Sequence, residues 1–425
     1  MRLLELFAGI GGMRLAAEEA CAELGIDLET TAVDTSPPAV ACYEHNFGAA
    51  PPVSRRNIES MPAAAFEGFD TWTLSPPCQP FTETRGARQR DLDDARCAAL
   101  KRLAALLPTL ERPPRRLLLE NVAGFLGSAA FALFTDALRA AGFTWRVLVL
   151  DPPAFGIPNH RLRLYLAAER SNRFGGGGDT AADEPPPPGR APADIGAPER
   201  APRPLREFVA RVDGGGSGGA GDAAEGAAAL TLSRAVLAQP WARRSLAIVN
   251  RADARTHCFT CLYGRVVHKA AGSVLYDETL ALLAPDDDDA ADAAGGALGA
   301  KGAATRVTVA LPHPVARDEA GDAAPLPATP PPLPTSPTPP TPPPFSEVPL
   351  DLDGERLLEH AGRLRLFAPS ELLTLFGFHA VRPGYQFPPT MRLRTRYKLV
   401  GQSVNVHVIA HVLRWLLRDA HDVAA

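Results

Sequence analysis

The sequence predicts an α/β fold: a doubly wound, mainly parallel sheet with a small target-recognition domain and disordered insertions. Three observations carry the sheet. The apolar run Leu3-Leu4-Glu5-Leu6-Phe7 passes at once into the glycine turn Ala8-Gly9-Ile10-Gly11-Gly12 and then into strong helix formers at 13–20. A second strand-like run, 28–33, ends in Asp34. Strand and helix patterns then alternate to about residue 167, the rhythm of parallel strands joined by crossovers.

The first strand, turn and helix form a nucleotide-type cradle, because glycine lets the backbone approach a ligand closely. A glycine turn by itself is equally a tight connection. Asp34 lies where a carboxylate accepts from ribose hydroxyls, although alone it reads as well as a solvated strand end. The turn has no third glycine at the dinucleotide spacing and no Lys-Ser/Thr pair for a triphosphate. That favours S-adenosylmethionine over NAD or ATP.

Residues 57–59, with Ile58 and Glu59, close a third short segment, and 69–74 is the fourth strand. It runs into Ser75-Pro76-Pro77-Cys78-Gln79-Pro80-Phe81, a thiol held among prolines that fix their own φ and extend their neighbours. A lone cysteine is ordinarily a small buried hydrophobe. This one lies at the carboxyl end of a strand, where open α/β sheets bind ligands. Residues 116–119, 144–150 and 163–167 complete seven expected strands, with helices at 95–107 and 129–141. The fifth strand ends in Glu120-Asn121-Val122, and burial there raises a carboxyl pKa until it can donate a proton near neutrality. Its plain alternative is an acid satisfying helix amides. Arg161 and Arg163, two apart, are expected on one face of the last strand, holding a base oxygen or decorating a surface.

The 43 prolines and 36 glycines are concentrated in segments that cannot bury enough apolar surface to offset their ordering entropy. The expected organisation is a catalytic and cofactor-binding domain at 1–170, a low-complexity insertion at 171–229, and a target-recognition region at 230–283. A second insertion at 284–354, the rest of the recognition region at 355–389, and a segment returning to the catalytic domain at 390–425 follow. A net charge of −4 offers no bulk attraction to a polyanion, so phosphates would be met by local clusters such as Arg85, Arg88 and Arg90, or Arg392, Arg394, Arg396 and Lys398. Solvated charge is their default reading.

Six scattered cysteines without a secretion signal point to a reducing compartment, and the lack of an apolar run of about 20 residues points to a soluble protein. Cys258 and Cys261 form a Cys-x-x-Cys, but no second pair exists and His257 and His268 lack finger-like spacing, so no metal is expected.

The motifs at 7–12, 75–81, 120–122 and 161–163, followed by Arg396-Tyr397-Lys398-Leu399-Val400-Gly401-Gln402-Ser403-Val404-Asn405-Val406, stand in the order seen in cytosine-5 methyltransferases, which the chain resembles. Cys258-Phe259-Thr260, with Tyr263, resembles the signature of one branch, the second DNA-methyltransferase homologues, which methylate cytosine in a tRNA anticodon loop. The resemblance implies the S-adenosylmethionine-dependent methyltransferase fold, aspartate tRNA as the partner, and a cytoplasmic setting with the nucleus as alternative. It implies a catalytic set of Cys78, Glu120, Arg161 and Arg163. It assigns cofactor contacts to Phe7, Gly9, Ile10, Gly11, Gly12, Asp34, Thr35, Ile58, Glu59, Ser75 and Asn405, and the substrate side to Cys258, Phe259, Thr260 and Tyr263. An arginine beside Cys78 would lower the thiol pKa. Two departures stand out, Cys261 in place of lysine and Gln402 in place of asparagine. The alternatives are a DNA cytosine-5 methyltransferase and a retired enzyme acting as a cofactor- or RNA-binding scaffold.

Overall fold

The computed structural model describes residues 1–49, 53–82, 91–171, 201–209, 230–282 and 356–418. The Arg85, Arg88 and Arg90 cluster and the expected insertion at 284–354 lie outside the described residues.

Strands β1 (Arg2–Leu6), β2 (Glu29–Val33), β3 (Thr71–Leu74), β4 (Arg116–Val122), β5 (Thr144–Leu150) and β6 (Arg163–Glu169) make one sheet in the order β2-β1-β3-β4-β6-β5. The first four in that order pair in parallel, joined through helices α1 (Gly12–Leu24), α2 (Pro37–Phe47) and α3 (Ala98–Leu106); α4 (Ala129–Ala140) follows β4. β6 runs antiparallel to both β4 and β5, because residues 151–162 return the chain without a crossover helix.

Six strands replace the expected seven. The segment at 57–59 is not a strand: Ile58–Ser60 is a 3₁₀ turn, opened by Asn57, whose side chain accepts from the Glu59 amide at 3.4 Å.

The strands are mostly buried on both faces, as crossover helices require. Successive residues alternate between two cores. Leu3, Leu118 and Tyr165 face α1, whereas Leu4, Leu6, Trp72, Leu74, Leu117 and Leu119 face α3 and α4.

β7 (Ile248–Val249), β8 (Val274–Tyr276) and β9 (Leu364–Arg365) form a smaller sheet within the stretch expected to be the recognition region. Arg365 is buried in it, held by Asp277 at 2.9 Å and by both oxygens of Glu371 at 2.8 Å. Helices α5 (Pro369–Leu375), α6 (Leu393–Gln402) and α7 (Val406–Leu417) close the chain, α7 packing along α1.

Two expected boundaries change. Within the predicted insertion at 171–229, residues 201–209 fold: Leu205, Phe208 and Val209 are buried, and the amides of Leu205 and Arg206 donate to the carbonyls of Asp253 and Arg251. Apolar residues at 205, 208 and 209 gave this short piece enough to bury. The predicted remainder of the recognition region at 355–389 is also divided, since its second half packs on the glycine turn. Phe376, Phe378 and Tyr385 share one core with Ile10 and Met13. Among the described residues no helix is long and apolar enough to cross a membrane.

Candidate active site

The register of the sheet assembles the site. Leu6, Leu74 and Leu119 stand side by side, so the chain leaves β1 at Phe7 and β3 at Ser75 level with Glu120 in β4. Glu120 in turn faces Tyr165 in β6. Phe7 holds a left-handed conformation (φ 59°), and its carbonyl accepts from the Ser75 hydroxyl at 3.1 Å. That bond ties the glycine turn to the cysteine loop.

Cys78 opens the 3₁₀ turn Gln79–Phe81, its carbonyl accepting from the Phe81 amide at 3.0 Å. The Asn121 side chain donates to the Pro76 carbonyl at 3.2 Å, so the strand that carries Glu120 also holds the loop that carries Cys78. The thiol is half-buried.

Glu120 is buried, with Nε of Arg163 standing 3.4 Å from its Oε1. Burial pushes its carboxyl pKa up, and Arg163 and Arg161 only partly oppose that. The proton expected on this acid is therefore favoured.

The expectation for Cys78 is corrected. Arg163 and Arg161 do favour its thiolate, but burial outweighs them and Glu120 opposes them, so the thiol pKa is raised rather than lowered. Each of Glu120, Arg163 and Arg161 is thus close enough to Cys78 to act on its charge.

The two arginines do not share a strand face. β6 begins at Arg163, and Arg161 precedes it. Arg161 is buried, and its guanidinium donates to the carbonyls of Phe259 (3.2 Å), Gly401 (3.4 Å) and Ser403. Three carbonyls hold its terminal nitrogens while its buried Nε has no partner among the described residues, so Arg161 is tethered and Arg163 is the one paired with the acid. Both guanidinium groups reach Cys258 Sγ, at 3.7 and 3.9 Å.

The rest of the expected substrate side divides. Thr260 is half-buried and its amide donates to the Ala271 carbonyl at 3.0 Å. Phe259 and Tyr263 are buried in the core, with the Tyr263 hydroxyl donating to the Ser273 carbonyl (2.8 Å) and accepting from the Phe367 amide (2.9 Å). They shape the loop from beneath and do not line the site. Cys261 is a half-buried free thiol, and among the described residues no group of three or more metal-type ligands occurs.

Among the expected cofactor residues, Asp34 is tied directly to the glycine turn. Asp34 accepts from the amides of Gly9 and Ser36, both at 2.7 Å, so its carboxylate first fixes the turn. Thr35 and Glu59 are exposed, and Ile58 is buried behind them. Asn405 is buried as the N-cap of α7, accepting from the Val408 amide at 3.2 Å and donating to the Leu375 carbonyl at 3.3 Å. Its side chain is therefore engaged in capping the helix.

Sequence reasoning missed Glu5, which lies fully buried one layer below the site and accepts from the Arg14 amide (3.1 Å) and the Tyr43 hydroxyl (2.9 Å). Burial raises its pKa to about 8. An acid inside an otherwise apolar strand was the available signal. Asp151, which holds His160 Nδ1 (2.8 Å) and the Arg161 amide (2.6 Å), left no comparable mark.

Residues 1–175 match the C-5 cytosine-specific DNA methylase family. A human tRNA (cytosine(38)-C(5))-methyltransferase is 36% identical over 171 residues, 40% of this chain and 42% of that protein. A DNA (cytosine-5)-methyltransferase from Dictyostelium discoideum is 32% identical over 179 residues, 41% of this chain and 45% of its own length. The chain thus spans less than half the length of these curated relatives. A mutant of Spodoptera frugiperda DNMT2 superposes with a TM-score of 0.64 at 25% identity, covering 98% of this chain and 99% of that one. Residues 1–175, with Cys78, Glu120 and Arg163 gathered at the carboxyl edge of the sheet, are thus similar to the C-5 cytosine-specific DNA methylases.

Proposed function

We propose that the protein transfers a methyl group from S-adenosylmethionine to carbon 5 of a cytosine in a tRNA anticodon loop. The observation that carries this reading is the convergence of a half-buried thiol, a buried carboxyl and a guanidinium at one sheet edge.

Carbon 5 of cytosine is a weak nucleophile. Addition of the Cys78 thiolate to carbon 6, while Glu120 gives its proton to N3, moves electron density onto carbon 5. Arg163 steadies the negative charge that this pair exchanges. Once carbon 5 carries the methyl group, loss of its proton restores the ring double bond and expels the Cys78 sulfur. Burial favours the carboxylic acid that protonates N3 but disfavours the thiolate, so the Cys78 proton must pass to water as the sulfur adds to carbon 6, with Arg163 and Arg161 favouring the thiolate.

The cradle suits the cofactor. A Cβ placed on Gly9 would meet only the Phe7 carbonyl, at 3.9 Å, so space is open on that side of the turn. Glycine-turn amides, Asp34 and Glu59 would hold the adenosyl group, whose sulfonium supplies an electrophilic methyl. The chain's part is to align that methyl with carbon 5.

A target base must leave its stack, which costs least in a single-stranded loop. The name of the human relative supports tRNA, and aspartate tRNA follows by resemblance, as does a cytoplasmic setting with the nucleus as alternative. The Dictyostelium relative's name supports DNA as the second reading. The test is a tRNA carrying 5-fluorocytosine, which cannot lose fluorine as a proton is lost. With cofactor present, the protein should form a denaturation-resistant adduct through the Cys78 peptide; duplex DNA capturing it instead would favour the second reading.

A further inference from the structure

The glycine turn is held from far along the chain. The Tyr385 hydroxyl donates to the Ile10 carbonyl and lies 3.5 Å from Cys42 Sγ. On the other side of the same peptide unit, the Gly11 amide donates to the Ala8 carbonyl at 2.9 Å. Both ends of the Ile10–Gly11 peptide plane are therefore fixed. Its orientation sets the direction in which the chain enters α1, whose N-terminal amides form the positive end of the helix.

The neighbouring packing leaves that plane little room. Gly11 has φ 86°, and a Cβ there would lie 2.3 Å from the Phe47 ring. Arg14 and Arg382 stand over that ring at 4.2 and 4.4 Å from its centroid, and Glu18 binds both guanidinium groups at 3.0 Å. The segment that brings Tyr385 is docked on α2 by a reciprocal pair: Asn46 donates to the Gln386 carbonyl at 2.8 Å, and the Gln386 amide donates to Asn46 at 2.9 Å. Its ring packs on Phe378 at 4.8 Å between centroids.

We infer that Tyr385 is a positioning residue for methyl-donor binding: its hydroxyl orients the Ile10–Gly11 peptide so that the turn is formed before the cofactor arrives. A preorganised turn binds its ligand without a further ordering cost, so the effect belongs to affinity for the cofactor and not to capture of the nucleic acid. The inference rests on the methyl-donor reading above. The Cys42 thiol and the Tyr385 phenol are both held protonated by burial, which keeps each able to donate.

The test uses the full chain in three forms, unaltered, Tyr385→Phe and Cys42→Ala. Calorimetric titration with S-adenosylhomocysteine, amide exchange of residues 8–13 without ligand, and thermal midpoints are measured together. Tyr385→Phe should weaken binding about five-fold, the worth of one lost hydrogen bond. It should also speed exchange at 10–12, while Cys42→Ala, which keeps the Ile10 bond, stays within two-fold. Equal affinity and equal exchange in Tyr385→Phe, or an equal loss in Cys42→Ala, would overturn the inference. Failure of the unaltered chain to bind the titrant would overturn the cofactor reading itself.

Discussion

Arg163 Nε stands 3.4 Å from Glu120 Oε1 across the antiparallel β4–β6 pair, one diagonal step away, since Glu120 faces Tyr165 and Val122 faces Arg163. The pair sets burial, which raises the Glu120 pKa, against a cation that lowers it. Such a carboxyl releases its proton when a base nitrogen arrives to take it. Glu120→Gln keeps the shape and removes the proton. Turnover should fall at least about 100-fold, the usual worth of a general acid, with the thermal midpoint nearly unchanged. A loss below ten-fold would remove Glu120 from the chemistry.

Glu5 sets a pH dependence of stability. Its folded pKa, about 8, lies above the ordinary 4.5, so between those values the folded chain holds a proton that the unfolded chain releases. The stabilisation is complete below 4.5 and declines as pH rises toward 8, by at most about 1.4 kcal/mol per pH unit. Denaturant titrations of the unaltered chain should weaken from pH 5 to 8 relative to Glu5→Gln. Parallel curves would show that Glu5 does not titrate there.

Gly401 marks where α6 meets the loop carrying Thr260. A Cβ at 401 would lie 2.2 Å from the Thr260 carbonyl carbon and oxygen, backbone atoms that cannot rotate away. Gly401→Ala should destabilise the chain by about 1–3 kcal/mol, as overpacking does, and should disturb the Arg161 tether that reaches the Gly401 carbonyl. An unchanged melting curve would refute this contact.

Asn405 separates two roles by measurement. As the N-cap of α7 its removal in Asn405→Ala should cost about 1 kcal/mol of stability. Affinity for S-adenosylhomocysteine should remain within two-fold. A large loss of affinity at unchanged stability would instead support the direct contact that the sequence suggested.

What could be read in advance followed periodicity and punctuation. The apolar runs located all six strands of the main sheet, and the glycine turn, the proline-caged Cys78 and the strand-end Glu120 each carried a local mark of their chemistry. Residues 57–59 misled because a single buried Ile58 looks like strand, whereas Asn57 offers its side chain to the Glu59 amide and turns the chain. Arg161 and Arg163 misled through spacing, which fixes a shared face only if both lie within a strand. The thiol pKa of Cys78 depended on burial, and Tyr385 on a partner 375 residues away, neither of which leaves a local pattern.

The most direct measurement is bisulfite sequencing of tRNA after incubation with the protein and S-adenosylmethionine, with Cys78→Ala and a duplex DNA substrate in parallel. The account predicts conversion-resistant cytosine at one anticodon-loop position, absent with Cys78→Ala and absent from the DNA. Protection of duplex DNA with tRNA untouched, or equal protection by Cys78→Ala, would contradict it.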